Sequence, residues 1–218
     1  DKPTGVDLPN EKTSQTPKTF RSAVEKRYGG RWIDIETVYA SIGQATVVVT
    51  PISMLRAVAS VGVQGKMFVP HLLKDFKAIG AIGDPNDAVY RPAKEAFGFD
   101  RPNPKIIEMT PEQEAVMVKG MWGVVNGGGT AGKIRIPGFD IAGKTGTAQN
   151  SSLNSGGAKD HAWFVSFAPA YKPEIAVIGL IENSGFGGDN AAPAVRGVYM
   201  AYLAKRGVPI DGQQVAMK

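Results

Sequence analysis

The sequence predicts an α+β fold in which an antiparallel sheet is flanked by helices. Two segments with apolar residues at helical spacing begin at capping residues, and three later apolar runs bounded by turn residues are typical of strands. The second and third runs are joined by residues 169–173, a connection typical of a hairpin. A final helical pattern then closes the chain.

Composition limits the classes of protein to which the chain can belong. Its 218 residues are 43% hydrophobic, which is enough for a sizeable core of one or two domains. The 25 Lys and Arg outnumber the 20 Asp and Glu, but they are scattered singly, so no nucleic-acid partner is expected. The absence of cysteine excludes disulfides, thiolate metal sites and a cysteine nucleophile.

The N-terminal part contains one clear helix. Residues 1–31 are rich in Lys, Thr, Pro and Gly, which favours an irregular surface segment. The helix begins at Thr50 and Pro51, a capping residue followed by proline at the first helical position. Its apolar face consists of Met54, Leu55, Val58, Ala59 and Gly62. Residues 80–105 show no sustained periodicity and are predicted to form a surface excursion.

The second helix has the clearest signals. Thr110 precedes Pro111, and Gln113 stands three residues after Thr110, which is the pattern of a capping box. Its apolar face consists of Met117, Val118, Met121, Trp122 and Val125. The Asn-Gly-Gly-Gly run at 126–129 ends it.

Three strands and a last helix follow. The strands are predicted at 141–148, 162–168 and 175–181, and the latter two are so apolar that both faces should be covered. The closing helix is predicted at 191–206, with basic residues in its last turn and Gly207 as its stop.

The chemical centre of the sequence is Lys144-Thr145-Gly146-Thr147 on the first strand. Alternation puts Lys144 and Thr145 on opposite faces, so one ligand can meet both only along the edge of the strand, as an added peptide strand would. Gly146 allows close approach, the hydroxyls of Thr145 and Thr147 can bind a carboxylate, and the Thr147 amide can point at a developing oxyanion. An ordinary Thr-rich strand with a solvated lysine is the other interpretation of these four residues.

Residues 138–145 also fit the phosphate-loop pattern G-x-x-x-x-G-K-T. That loop needs a helix starting at its lysine, so that backbone amides can cradle phosphate. Here Lys144 is followed by Gly146 and then by a run of Asn, Ser and Gly that cannot sustain a helix. A nucleotide site is therefore not expected.

The two histidines do not indicate a metal or a catalytic triad. His71 and His161 are far apart and lack metal-binding spacing, and no cofactor is expected. His161 follows Asp160 directly at the head of a strand, so the two side chains diverge. His161 is interpreted as a structural residue or a residue at the rim of a cleft, and residues 182–189 as a polar loop.

Together these residues resemble the C-terminal part of class B penicillin-binding proteins, the serine transpeptidases that cross-link peptidoglycan. The order and spacing of the matching segments make the resemblance specific. Those segments are residues 4–9 with Glu11, 41–44, 49–51, 143–149, 161–164, 167–169, 175–177, 182–183 and 191–193. The Ala-Trp-Phe strand and the Glu-Asn ending of the next strand resemble the elongation, rod-shape subtype.

The sequence departs from this family in two respects. The chain contains no Ser-x-x-Lys nucleophile, and its Ser-x-Asn at 152–154 follows the Lys-Thr-Gly strand, where it is interpreted as a decoy. Both family motifs belong upstream of residues 4–11, so residues 1–218 are expected to be the C-terminal portion of one transpeptidase domain, with 207–218 as a flexible tail. The second departure is Ala45, where the family usually has glycine after Ser-Ile-Gly-Gln.

The resemblance implies a complete enzyme whose serine attacks the D-Ala-D-Ala end of a stem peptide, releases the last D-Ala and passes the acyl group to a neighbouring amine. In that enzyme Lys144 and Thr145 hold the carboxylate side of the substrate, Gly146 allows its approach, and Thr147 gives one oxyanion amide. β-Lactams, which mimic the substrate, acylate the same serine. This fragment alone is expected to be inactive.

The resemblance also implies peptidoglycan stem peptides as substrate, cell-elongation membrane proteins as partners, and a position at the periplasmic face of the inner membrane with the anchor outside this chain. A D,D-carboxypeptidase or β-lactamase-like hydrolase of the same fold remains an alternative, and so does a non-catalytic binding fragment. In the transpeptidase fold, strand 175–181 pairs with a strand that this sequence does not contain, so its hydrophobic edge is expected to seek a partner.

Overall fold

The computed structural model describes residues 2–16, 21, 32–45, 47–72, 75–79, 88–92, 104–149 and 159–208. Within these ranges, no helix is both long and apolar enough to cross a membrane. The elements, in chain order, are α1 (Asp34–Ser41), α2 (Pro51–Val61), β1 (Lys66–Met67), β2 (Asp75–Ile79), β3 (Ala88–Pro92), β4 (Lys105–Ile106), α3 (Pro111–Asn126), a 3-10 turn (Gly132–Ile134), β5 (Ala142–Ala148), β6 (His161–Ala168), β7 (Ile175–Ile181) and α4 (Ala191–Lys205).

The sheet that carries the candidate site has the strand order β5-β6-β7 and is antiparallel throughout. Thr145 stands opposite Phe164, which in turn stands opposite Gly179. The predicted α+β class, with an antiparallel sheet flanked by helices, is confirmed. Each of the three predicted strands is confirmed to within one residue at its start.

One face of this sheet packs on α4. The core there includes Phe164, Val195 and Tyr199, all fully buried. The Tyr199 hydroxyl lies 2.8 Å from the hydroxyl of buried Ser166, so each satisfies the other inside the apolar layer. Burial raises the pKa of Tyr199 well above its usual value, and the Ser166 hydrogen bond only partly opposes this.

The opposite face packs on α2 and α3, through Val61, Val118, Ala142, Phe167 and Ala170. Both helices begin as the sequence predicts. The Thr50 side chain accepts a hydrogen bond from the Ser53 amide, and the Thr110–Gln113 capping box of α3 is formed in both directions.

The structure also contains elements that the sequence did not predict. Helix α1 lies between the N-terminal segment and α2, and β3 lies inside the predicted surface excursion at 80–105, where it pairs with β2. The sequence predicted no strand at 88–92, because five-residue strands in a two-stranded sheet are too short to show a sustained periodicity, and the surface excursion itself stays a prediction. Residues 80–87 and 93–103 lie outside the described residues.

The N-terminal segment is irregular as predicted over 2–16, but it is not wholly at the surface, since Thr4 and Ser14 are buried. The Glu11 carboxylate accepts hydrogen bonds from the Thr4 amide (2.8 Å), the Thr4 hydroxyl (2.6 Å) and the Gly5 amide (3.1 Å). Desolvation acts to raise the Glu11 pKa, yet these hydrogen bonds outweigh it and leave the pKa below its usual value.

At the other end of the chain, Gly207 adopts a left-handed conformation (φ 67°) just after α4, as expected of a helix stop. Of the predicted flexible tail at 207–218, residues 209–218 lie outside the described residues, so the tail stays a prediction.

Candidate functional site

Strand β5 carries the sequence-predicted site along an open edge of the sheet. β6 pairs with one side of β5, and no strand in the described part of the chain pairs with its other side. The carbonyl of Thr147 points away from β6, because it accepts a hydrogen bond from the Gln44 side chain. In an extended strand the N–H and C=O of one residue point the same way and alternate along the chain, so the backbone groups of Thr145 and Thr147 face the open edge.

The ammonium group of Lys144 lies at this edge. The side chain is exposed, and its Nζ donates to the edge-facing carbonyl of Thr145 at 2.6 Å. Among the described residues, no carboxylate lies within ion-pair distance of Lys144. The lysine therefore presents a positive charge that the described protein does not neutralise.

Thr145 faces the opposite side of the sheet, toward α4, as alternation predicts. Its hydroxyl lies 2.8 Å from the hydroxyl of Thr130, which belongs to the connection between α3 and β5. No sequence pattern singled out Thr130, because only the fold brings it beside Thr145. The two hydroxyls form a small polar surface next to the site strand.

Two glycines allow the loop at 182–190 to lie directly on the sheet. A Cβ atom at Gly187 would meet the Trp163 carbonyl at 2.2 Å and the Gly146 carbonyl at 2.4 Å, and a Cβ at Gly188 would meet the Thr130 carbonyl at 2.3 Å. These separations are too short for any side chain. The loop is also tied by the ion pair between Lys133 and Asp189.

The absence of a side chain at Gly146 also makes room for Trp163, which lies opposite it on β6. A Cβ at Gly146 would lie 3.2 Å from the Cβ of Trp163, its cross-strand neighbour. The glycine therefore has a packing role in addition to the predicted role of allowing a ligand to approach.

The end of β5 is bound from outside by Gln44. Its Nε2 donates to the Thr147 carbonyl at 3.0 Å, and its Oε1 accepts from the Gln149 amide at 3.4 Å. Because the Thr147 N–H shares the open edge with its carbonyl, it points outward beside this contact. The sequence matched Gln44 to a family segment but did not assign it a role.

Gln44 stands on a tight turn after α1. Gly43 and Ala45 both have left-handed backbones, with φ of 75° and 53°. The Gln44 amide donates to the Tyr39 carbonyl at 3.0 Å, which closes the turn against the helix. Glycine is the residue that such a conformation favours, so Ala45 is the strained position of the pair.

His161 makes a structural contact. Its Nδ1 accepts a hydrogen bond from the Asn183 amide at 3.1 Å, which ties the end of β7 to the start of β6. The nearby amide of Gly185 donates to the Asp160 carbonyl at 2.8 Å. This geometry agrees with the structural interpretation of His161.

The phosphate-loop alternative does not fit the structure. Lys144 lies inside strand β5, whereas that loop requires a helix to start at its lysine.

No group of three or more His, Cys, Asp or Glu side chains that could hold a metal occurs among the described residues. The Ser-Leu-Asn run at 152–154 lies outside the described residues.

The arrangement has a definite chemical capacity. An open strand edge offers backbone groups to an extended ligand, an unneutralised ammonium attracts an anionic group, and the outward N–H of Thr147 can donate to a carbonyl oxygen. Threonine hydroxyls on the adjoining face add further hydrogen-bonding groups. These features suit an anionic peptide that lies along β5.

Comparison with known proteins agrees with this capacity. The family model described as penicillin binding protein transpeptidase domain matches residues 1–200. The peptidoglycan D,D-transpeptidase MrdA of Haemophilus influenzae is 32% identical over 217 residues, which cover 94% of this chain and 31% of that protein. The chain thus spans about a third of the length of the curated relatives it matches.

Solved structures give the same result. PBP2 of Pseudomonas aeruginosa, in complex with WCK 5153, matches with a TM-score of 0.69 and 30% identity over 97% of this chain and 43% of that one. PBP2 of Helicobacter pylori, in complex with MreC, matches with a TM-score of 0.64 and 26% identity over 93% of this chain and 34% of that one.

Proposed function

Because the chain belongs to the penicillin-binding protein transpeptidase family, whose model matches residues 1–200, we propose that it forms part of a peptidoglycan D,D-transpeptidase of the cell-elongation type. The reaction is acyl transfer. A serine attacks the carbonyl between the last two D-Ala residues of a stem peptide, the terminal D-Ala leaves, and an amine of a neighbouring peptide takes the acyl group.

The observation that carries this proposal is the geometry of β5. An extended peptide that ends in a carboxylate fits an open strand edge where the Lys144 ammonium lacks a counter-charge among the described residues. Lys144 and Thr145 hold the carboxylate side of the substrate, and Gly146 keeps the strand bare where the substrate lies. The Thr147 N–H donates to the carbonyl oxygen as it becomes an oxyanion, which is the stage at which such a donor lowers the barrier.

The nucleophile is assigned to another part of the protein. The sequence contains no Ser-x-x-Lys, so residues 1–218 supply the substrate-binding strand of a domain of which they are the C-terminal portion. The serine, its lysine and the second oxyanion amide belong to the remainder of that domain. The 218-residue chain by itself is expected to form no covalent adduct with penicillin.

Partners and location follow from the same family assignment. β-Lactams bind as substrate mimics, a proposal supported by the match to a penicillin binding protein transpeptidase domain. Membrane proteins of the cell-elongation machinery are the proposed protein partners, supported by the Helicobacter PBP2–MreC complex. The protein is proposed to act at the periplasmic face of the inner membrane.

The test is acylation followed by transfer in the full-length protein. A fluorescent penicillin should label it at one serine, and mass spectrometry should locate the adduct outside the residues of this chain. A D-Ala-D-Ala substrate supplied together with an acceptor amine should give the cross-linked product. Release of D-Ala with hydrolysis only, even at high acceptor concentration, would assign a carboxypeptidase or β-lactamase-like activity instead.

A further inference from the structure

Gln44 bonds two backbone groups at the open edge of strand β5, as a neighbouring strand would. Its Nε2 donates to the carbonyl of Thr147 at 3.0 Å, and its Oε1 accepts from the amide of Gln149 at 3.4 Å. In a parallel pair, one residue of an added strand engages an edge in the same way, by bonding a carbonyl and the amide two residues further along. One side chain therefore takes the place of a partner strand at the end of β5.

This contact lies where the backbone pairing between β5 and β6 ends, so it can stabilise a part of β5 that β6 supports least. Its last pair joins Ala148 to His161, so the peptide groups after Thr147 have little remaining support from β6. Gly146, which precedes Thr147, offers no side chain to restrict the backbone. Without an outside partner, fraying of this strand end would let the Thr147 peptide rotate.

Gln44 is itself held firmly enough to act as such a partner. The amides of Ile42 and Gly43 donate to the carbonyls of Tyr39 (3.2 Å) and Ala40 (3.1 Å), and the Gln44 amide donates to Tyr39 at 3.0 Å. This turn caps the end of α1. The Gln44 side chain thus projects from a hydrogen-bonded helix end rather than from a free loop.

From this geometry we propose that Gln44 is a positioning residue, which fixes the end of β5 so that the Thr147 N–H is aimed at the oxyanion formed during acylation. The inference rests on the proposed transpeptidase function. Gln44 does not touch the reacting atoms in this role and acts only through Thr147. An oxyanion donor is effective only when it is oriented before the reaction, so a loosened Thr147 slows acylation more than it weakens binding.

The test uses Gln44→Met in the full-length protein, since methionine keeps the length of the side chain but loses both hydrogen bonds. Stopped-flow acylation by a fluorescent penicillin separates the noncovalent dissociation constant from the acylation rate constant. We expect the rate constant to fall about 10-fold, less than the roughly 100-fold or greater loss for removing an oxyanion donor itself. The dissociation constant should change less than about 3-fold, and hydrogen exchange at the Gln149 amide should accelerate.

Ser41→Ala is the matched control, because among the described residues the Ser41 hydroxyl bonds to the Val38 carbonyl within the same helix end and not to β5. It should leave the acylation rate constant unchanged. An unchanged acylation rate constant in Gln44→Met overturns the positioning role. So does a result in which only the fraction of protein that can be labelled falls while the acylation rate constant of the labelled fraction stays the same. Failure of the unaltered full-length protein to acylate at all overturns the proposed function, and the positioning role falls with it.

Discussion

The hydroxyl groups of Thr130 and Thr145 lie 2.8 Å apart, although one belongs to the connection after α3 and the other to the site strand. The Thr130 hydroxyl fixes the direction in which the Thr145 hydroxyl can donate or accept. When Thr130 donates to Thr145, the Thr145 proton is free to reach a ligand carboxylate. The pair therefore connects a residue outside the Lys-Thr-Gly strand to the hydroxyl that is proposed to bind the substrate carboxylate.

Replacing Thr130 by Val should weaken noncovalent binding of penicillin about 3- to 10-fold, the effect of losing a hydrogen bond of ordinary strength. The acylation rate constant should change less, because the hydroxyl pair does not contact the oxyanion. Thr130→Ser, which keeps the hydroxyl, should bind like the parent protein. Weaker binding in Thr130→Ser together with parent-like binding in Thr130→Val would show that the methyl group matters rather than the hydrogen bond.

Replacing Lys144 by Ala should slow acylation of the full-length protein by about 100-fold, since lost electrostatic contacts in a transition state typically cost about 3 kcal/mol. The midpoint of thermal unfolding should stay within about 2 °C of the parent, because an exposed side chain contributes little to folding. Lys172→Ala, on the exposed hairpin turn between β6 and β7, is the control for loss of one positive charge. An acylation rate equal to the parent's would remove Lys144 from the site.

Replacing Ala45 by Gly should stabilise the protein by about 0.5 kcal/mol. A left-handed backbone costs a residue with a Cβ about 1–2 kcal/mol, and the greater freedom of glycine in the unfolded chain returns part of that. Gly43→Ala should destabilise the same turn, since Gly43 also has a positive φ. Urea unfolding measures both changes, and opposite signs are expected.

The lowered pKa of Glu11 should make the free energy of unfolding depend on pH. Its pKa in the folded protein lies below the usual 4.5, so its contribution to stability is present above pH 4.5 and is lost as the pH falls through the lower folded value. Glu11→Gln should lower stability at pH 7 and flatten the profile below pH 4.5. Glu108→Gln, at an exposed position, controls for the change in net charge, and parallel acid profiles for parent and Glu11→Gln would contradict the assignment.

The free side of β7 predicts the behaviour of the isolated 218-residue chain. β7 pairs only with β6 among the described residues, and unpaired apolar edges are templates for another chain. The isolated chain is expected to self-associate in analytical ultracentrifugation. Leu180→Lys, on β7, should reduce the association, whereas Val116→Lys, at an exposed position of α3, should not. A well-behaved monomer would contradict this prediction.

The sequence predicted the parts of the fold that are specified locally. Helix α3 was predicted to the residue because a capping box and an Asn-Gly-Gly-Gly run mark its two ends. Strand β7 was predicted to the residue because an apolar run is bounded by turn residues. Helix α1 was missed because no side-chain cap marks its start, although Ile35, Val38 and Tyr39 stand at helical spacing.

The residues of the candidate site likewise differ in whether a local sequence pattern could predict them. Lys144, Thr145, Gly146 and Thr147 are adjacent in the chain, so alternation along one strand was enough to predict where each would face. Gln44 lies 103 residues from Thr147, and Thr130 lies 15 residues from Thr145. Their contributions depend on how separate segments come together, which no local pattern reports.

Gly187 and Gly188 affect how the two faces of β5 can adapt to ligands of different size. On the face of β5 that carries Thr145, the loop lies with its backbone against the carbonyls of Gly146, Trp163 and Thr130, so no side chain at Gly187 or Gly188 can swing aside. That side can widen only if the whole loop lifts and separates Asp189 from Lys133. Bulky groups of a ligand are therefore expected on the face of β5 that carries the exposed Lys144 side chain, which would make the site selective on one face and tolerant on the other.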